Sequence, residues 1–185
     1  MSDEQLAAPG ELELVRAFVN TRDLELGTDA LTTPAALDAW LRRHAPAASG
    51  PAATPADLRD ALALREGLRG LLLANATGAA PAPQAVDAVA AAGRLCALRA
   101  QPGPDGIVLV AAGTGVEAAL GRLLAIVVVA QASGTWPRLK ACPGDRCQWA
   151  LFDHTRSRTR TWCASAKCGA RSRSRAYRRR RASRT

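Results

Sequence analysis

The chain has 185 residues, of which 48% are hydrophobic, and a formal net charge of +9 at pH 7. This length allows one ordinary core and a small appendage, and its apolar runs fall far short of the ~20 residues of a bilayer span, so we expect no membrane segment. The charge is uneven: residues 1–140 hold 12 Lys/Arg and 14 Asp/Glu, whereas residues 141–185 hold 13 and 2. The basic character therefore belongs to the last quarter of the chain.

The first predicted element is a helix over residues 11–20. Its apolar side chains Leu14, Val15 and Phe18 fall on one helical face. We expect a loop around residues 27–29 to end this element.

Two further helices begin with capping signals. Thr33 precedes Pro34, as an N-cap precedes a proline at the first helical position. Thr54 stands three residues ahead of Asp57, which is the spacing of a capping box, before a leucine-rich stretch over residues 58–73. These signals predict one helix from residue 34 and a longer one after Thr54.

An alanine-rich helix and a β-hairpin are predicted next. The helix covers residues 84–92, after a Pro/Ala-rich loop at residues 78–83. Two apolar stretches, residues 95–100 and 107–112, flank a Pro/Gly-rich segment at residues 101–106, which is typical of a hairpin turn.

A long helix over residues 116–132 closes this part of the chain. Its most apolar run, residues 123–130, predicts a helix buried in a core. The three β-branched residues at 127–129 leave a strand as the alternative.

Four cysteines follow in a symmetric pattern of C-x4-C, a fifteen-residue spacer and C-x4-C. They are Cys142, Cys147, Cys163 and Cys168. Each pair can bring two sulfurs to one metal ion from a tight turn, so the pattern indicates a structural Zn²⁺ site. Pro143, Gly144 and Gly169 supply the turn residues that such a site needs. The alternative is two disulfides or four free thiols.

The fold class predicted from these elements is α+β. A mostly α-helical domain with a β-hairpin occupies residues 1–136, and a small four-cysteine zinc finger with a basic tail occupies residues 137–185.

The opening residues 1–4 are acidic where a secretory signal would be basic and then apolar, so we expect a cytoplasmic protein. In the reducing cytosol, clustered cysteines are more often metal ligands than disulfides. Cys96 lies far from the cluster and is predicted to be a small buried hydrophobe.

The net charge of +11 on residues 141–185 predicts a polyanion partner, and in the cytosol the abundant polyanion is nucleic acid. The alternative is a basic tail that only aids solubility. The arginines predicted to contact phosphates are Arg156, Arg158, Arg160, Arg171, Arg173 and Arg175.

Two sequence features are also found in proteins with other functions. Residues 113–118 fit the G-x-G-x-x-[GA] dinucleotide pattern, but no carboxylate follows about 20 residues later, so we expect a plain strand-to-helix turn. His154 could replace a cysteine as ligand, but four thiolates already complete a closed site, and we expect it to be exposed or to contact phosphate. Neither His154 nor His44 stands at a sequence spacing from a nucleophile that is typical of a catalytic pair, so we predict no enzyme activity.

The cysteine segment resembles the CGNR zinc finger. The resemblance rests on the four cysteines together with Trp149, Phe152, Asp153, Arg160, Trp162, Gly169 and Arg171. The signature tetrapeptide here is Cys168-Gly169-Ala170-Arg171, so Ala170 replaces the family's asparagine. This departure concerns a hydrogen bond or base contact at that position, not the metal site.

The N-terminal part is similar to the ABATE domain that usually accompanies this finger. The similar segments are residues 18–21, 37–41 and 64–69. The resemblance implies a bacterial, stress-linked transcription regulator that binds DNA through the finger.

We therefore interpret the chain as a zinc-dependent protein that binds duplex DNA. The alternative is an RNA- or ribosome-associated zinc protein, because arginine-rich segments bind RNA equally well.

Helical spacing places Arg65 on the apolar face of its helix, where a charge must be paired or open into a pocket. It either is paired within the chain, holding the loop after Asn20 and Thr21, or lines a cavity with these two residues for a small anionic effector. The sequence does not indicate an oligomeric state.

Overall fold

The computed structural model describes residues 3–45, 50–104 and 106–182. Its helices are α1 (Leu12–Val19), α2 (Pro34–His44), α3 (Pro55–Thr77), α4 (Pro83–Leu95), α5 (Gly115–Ala132) and α6 (Ala170–Ala182). Its strands are β1 (Arg22–Asp23), β2 (Thr28–Asp29), β3 (Leu98–Gly103), β4 (Gly106–Ala111), β5 (Leu139–Ala141) and β6 (Ala150–Phe152). Each pair of consecutive strands forms a two-stranded antiparallel sheet. The predicted α+β class, mostly helical, is confirmed.

The capping signals place the helices as expected. The hydroxyl of Thr33 accepts a hydrogen bond of 3.1 Å from the Ala36 amide at the start of α2. Thr54 and Asp57 form the reciprocal capping box of α3, with bonds of 3.2 and 2.7 Å. Gly78 then ends α3 in the left-handed conformation, at a φ of 71°, which a residue without a Cβ adopts at no steric cost.

The hydrophobic core is built around α3 and α5. Leu64, Leu68 and Leu72 of α3 are fully buried, and Leu123 and Val127 of α5 join the same cluster. Within the described residues, α5 is the one helix long and apolar enough to cross a membrane, but 61% of it is buried inside the protein. It is therefore a core helix, as predicted, and the strand alternative for its valines is wrong.

Two predicted turns differ in the structure. Residues 28–29 were expected in a loop but form β2, which pairs with β1 across a turn at Gly27. The β3–β4 hairpin is longer than predicted, because Gln101 and Pro102 pair with Val108 and Ile107 instead of forming the turn. Asp105, part of the segment predicted to turn, lies outside the described residues.

The end of α4 also differs from the prediction. The helix continues to Leu95, since the amide of Cys96 donates 2.9 Å to the carbonyl of Ala92 and closes one more turn. The first hairpin strand consequently starts at Leu98. Cys96 itself is 2% exposed, as expected of a small buried hydrophobe.

The dinucleotide-like segment is a tight turn between β4 and α5. Gly113 has a φ of 89°, and a Cβ there would lie 3.2 Å from the Glu117 carboxyl carbon. An acidic side chain thus covers the turn where a pyrophosphate would bind. The described strands are all antiparallel, so the βαβ context of a dinucleotide site is missing from them.

The β5–β6 hairpin joins the cysteine segment to the helices. Leu139, Ala141, Ala150 and Phe152 belong to the same hydrophobic cluster as α1 and α3. The Asn75 side chain of α3 donates 2.9 Å to the carbonyl of Leu139. The division into domains at residue 136 stays a prediction, but the parts on either side of it share one core.

Candidate metal centre and basic surface

The four predicted cysteine ligands come together at one point. The sulfur atoms of Cys142, Cys147, Cys163 and Cys168 all lie within 4.8 Å of one another. The Cys147 and Cys163 sulfurs are 3.4 Å apart, and the Cys163 and Cys168 sulfurs 3.6 Å. These distances exceed the ~2.05 Å of a disulfide bond, and all four thiols are free. The cluster could hold a metal ion.

Two tight turns present the sulfurs. In the first, the Cys147 amide donates 2.8 Å to the carbonyl of Gly144, three residues earlier. In the second, the Cys168 amide donates 2.9 Å to the carbonyl of Ala164, four residues earlier, in the helical turn Ser165–Gly169. The equal spacing within each cysteine pair thus becomes two different turns whose sulfurs meet.

The thiols of Cys142, Cys147 and Cys163 share protons unevenly. Hydrogen bonds from the thiols of Cys147 and Cys163, with smaller contributions from backbone amides, lower the pKa of Cys142. The bond to Cys142 in turn raises the pKa of Cys147 and that of Cys163. Since one thiolate discourages its neighbours from ionising, these three sulfurs need a nearby cation before all of them can be anionic. The donor set and its geometry fit a bound divalent metal.

A small apolar shell surrounds the cluster. Leu151 is fully buried against the cysteines, with Trp149 and Trp162 packed beside it and Leu6 reaching in from the first residues of the chain. Alternate residues of β6 therefore face opposite ways: Leu151 toward the cysteines, Ala150 and Phe152 toward the helical core. The apolar residues that follow Cys147 therefore pack on both the cysteine cluster and the helical core.

Two polar side chains of the N-terminal part hold this segment in place. The Asn20 side chain accepts 2.7 Å from the Ala150 amide and donates 2.9 Å to its carbonyl, as a neighbouring strand would. Arg69 of α3, only 2% exposed, donates to the carbonyls of Gln148, Val19 and Arg22 at 2.9, 2.8 and 3.3 Å.

A buried ion pair shapes the loop between the cysteine pairs. Lys140 donates 2.8 Å to the Asp153 carboxylate and also binds the carbonyls of Arg158 and Arg160 at 2.8 and 2.9 Å. Burial raises the pKa of Asp153, but hydrogen bonds from Lys140 and Thr155 outweigh it and hold the pKa below its ordinary value. The carboxylate is therefore ionised and fixed, and the loop folds around it.

The predicted phosphate-binding arginines are in different surroundings. Arg156 and Arg158 are exposed on the loop, and Arg158 has a φ of 56°. Arg160 is half-buried and donates to the carbonyls of Trp162 and Cys163 at 3.2 and 2.9 Å, which braces the third cysteine. In α6, Arg171 and Arg173 are exposed, and the side chain of Arg175 lies outside the described part of the structure.

The predicted effector residues are all bonded to protein groups. Arg65 is 2% exposed and forms two bonds to Asp29, of 2.7 and 2.8 Å, besides one of 3.1 Å to the Thr21 hydroxyl. It also donates 3.0 Å to Glu66. These contacts, with those of Asn20, support the structural alternative in which Arg65 holds the chain after Asn20 and Thr21.

His154 lies outside the cysteine cluster. It is exposed, bonds through Nε2 to the carbonyl of Ala7 at 2.7 Å, and packs edge-on to Phe152. Its partner segment is the one that brings Leu6 to the cysteines.

Some residues that organise this region were given no structural role by sequence reasoning. Asp153 was named only within the resemblance to the finger, although it is one of two acids in the basic segment. Arg69 falls one helical turn after Arg65 on the same buried face. The partners of Asp153 and Arg69 are either distant in sequence or are backbone carbonyls, so a local sequence pattern does not indicate them.

These features define a mostly helical domain to which a four-cysteine module is fixed. Residues 12–160 match the ABATE family, described as "Putative stress-induced transcription regulator". The chain therefore belongs to the ABATE family, and its cysteine cluster is consistent with a zinc finger of the CGNR type. The match crosses residue 136, in keeping with the shared core. No curated protein matches the chain.

Proposed function

We propose that this protein is a non-enzymatic cytoplasmic regulator that binds duplex DNA through a zinc-stabilised basic module. The observation that carries the proposal is that exposed arginines lie on the loop between the cysteine pairs and on α6, the two segments that flank the four-sulfur cluster. Nucleic-acid binding is what the family description implies for a transcription regulator.

Zinc is the proposed metal. Four thiolates at about 2.3 Å from a tetrahedral Zn²⁺ would be about 3.8 Å apart, close to the 3.4 and 3.6 Å separations of neighbouring sulfurs. All four positions are taken by sulfur, so the ion would have a structural role and no open site for substrate.

The charge of the module supports a polyanion partner. Its two acids are Asp145 and Asp153, and Asp153 is buried against Lys140, so its charge does not face solvent. Arg156, Arg158 and Arg173 are exposed and are the proposed phosphate contacts, together with the predicted Arg171, Arg175 and Arg160. Arg160 also braces the metal site, so its loss would act partly through structure.

The test is a titration of the zinc-loaded protein with duplex DNA, structured RNA and free nucleotides across a salt series. If about five phosphates are contacted, log K should fall with log salt with a slope of roughly −4 to −5. Changing Arg156, Arg158 and Arg173 to Gln should flatten this slope. The matched control changes the exposed Arg42, Arg43 and Arg94 of α2 and α4.

The outcomes separate the candidate functions. Preference for RNA would favour the RNA-associated alternative, and equal losses in both triple variants would show a general attraction to positive charge instead of binding by the basic module. The ligand-sensing role for Asn20, Thr21 and Arg65 has no support from their contacts and stays a hypothesis. An anionic effector that raises the melting temperature of wild type but not of Arg65→Ala would revive it.

A further inference from the structure

A stripe of polar side chains runs along one face of α6 and the turn before it. Lys167, Arg171, Ser174 and Arg178 follow one another at intervals of four, three and four residues, which aligns them on one helical face. With Ala166 and Ala170 they line an open cavity of about 510 Å³. Three cations and a hydroxyl around one cavity are suited to an anion.

A carboxylate from the other end of the chain reaches this stripe. One oxygen of Glu25, in the turn between β1 and β2, accepts 2.8 Å from the Lys167 ammonium and 2.9 Å from the Arg171 guanidinium. The hydrogen bond from Lys167 and, to a smaller extent, that from Arg171 lower the pKa of Glu25, so its carboxylate is anionic. Its oxygen stands between two cations as a phosphate oxygen would.

The turn that carries Glu25 is held in shape. The Asp23 carboxylate accepts bonds of 2.8 and 2.9 Å from the amides of Glu25 and Leu26. At the other side of the turn, Asp29 is fixed by the buried Arg65. The fold thus presents Glu25 to the basic helix at a defined position.

We propose that Lys167, Arg171, Ser174 and Arg178 form a binding site for nucleic-acid backbone phosphate, which Glu25 occupies as an internal competitor in the free protein. The proposal deepens the proposed function and rests on it. The contact is exposed, with 57% and 49% of the Lys167 and Arg171 side chains accessible. Ion pairs of this kind are weak, so a phosphodiester can displace Glu25.

The test compares Glu25→Gln with the wild-type protein, both zinc-loaded, for binding to one mixed-sequence DNA duplex. Releasing two exposed ion pairs should tighten binding about threefold to tenfold at low salt. The gain should shrink at high salt, because screening weakens the internal pairs as well. Glu11→Gln is the matched control: it removes the same charge from an exposed pair with Arg122 of α5 and should give a gain well below that of Glu25→Gln.

A double-variant cycle and a small probe complete the test. In the Lys167→Gln/Arg171→Gln background, DNA binding should weaken and Glu25→Gln should no longer change it. Inorganic pyrophosphate, followed by NMR shifts of the Arg171 side chain, should bind Glu25→Gln more tightly than wild type.

Each outcome decides between the two proposals. If wild type binds duplex DNA and Glu25→Gln binds no more tightly than Glu11→Gln, the competitor is excluded while the proposed function stands. If pyrophosphate binds as expected but duplex DNA does not bind either protein, the DNA-binding function fails and the anion site remains. Failure of both probes overturns both.

Discussion

The guanidinium of Arg69 donates a 2.9 Å hydrogen bond to the carbonyl of Gln148, the residue directly after Cys147 of the cysteine cluster. Gln148 has a φ of 48°, a conformation that costs energy for a residue other than glycine. The same guanidinium binds the carbonyls of Val19 and Arg22. One buried side chain of α3 thereby connects the turn between Cys142 and Cys147 to the end of α1 and to the β1–β2 hairpin.

Replacing Arg69 with Lys should destabilise the protein by about 3 kcal/mol, because an ammonium cannot reproduce a buried three-way fork of donors. The metal should also leave faster to a chelator, since Gln148 is no longer held. Chemical denaturation and the rate of metal release measure the two effects. Arg59→Lys, on the exposed side of α3, is the control; equal metal release from both variants would contradict the link.

Metal loading should depend on the cysteine cluster and not on Cys96. Elemental analysis should find close to one zinc per chain in wild type and in Cys96→Ala, but little in Cys163→Ser. Removing the ion should expose the backbone of residues 141–170, because folding and metal binding are coupled in small modules. Hydrogen exchange should show α3 and α5 still protected. A folded cysteine module without metal would argue against a structural ion.

Asp153→Asn should release the loop between the cysteine pairs. The change leaves the buried Lys140 ammonium without its anionic partner, which costs about 3 kcal/mol. Limited trypsin digestion should then cut faster after Arg156 and Arg158. Ser157→Ala, in the same loop and bonded only to the exposed Thr159 among the described contacts, should leave the cutting rate near that of wild type.

The Asp29–Arg65 pair should make stability depend on pH in the acid range. Burial raises the pKa of Asp29, but hydrogen bonds from Arg65 and from the Leu31 amide outweigh it, so the folded pKa lies below the ordinary 3.8. Its stabilisation is therefore complete above pH 3.8 and is lost as pH falls through the lower folded value.

The variant Asp29→Asn tests this pH dependence. It should cost about 2 kcal/mol at neutral pH, and its unfolding free energy should converge with that of wild type as pH falls through the lowered folded pKa of Asp29. Denaturation at a series of pH values measures the difference. Asp87→Asn, exposed on α4, should show no such convergence, and a pH-independent gap for Asp29→Asn would contradict the assignment.

The sequence by itself determined the local elements and the four cysteines whose sulfurs meet. Thr33, Thr54 and Gly78 start and stop helices through bonds made within a few residues, and the spacing of the four cysteines sets which sulfurs a tight turn can present. Such features need no knowledge of the rest of the fold, because their interactions close over short stretches of chain.

Only the tertiary structure decided which polar groups meet. The bond between Asn20 and Ala150 spans 130 residues, and that between Glu25 and Arg171 spans 146. The residue type alone does not reveal whether the side chains of Arg65, Arg69 and Lys140 face a ligand, a carbonyl or an acid. Their roles depend on burial, which obliges each charge to find a partner, and the packing of α1, α3 and the β5–β6 hairpin decides which partner is in reach.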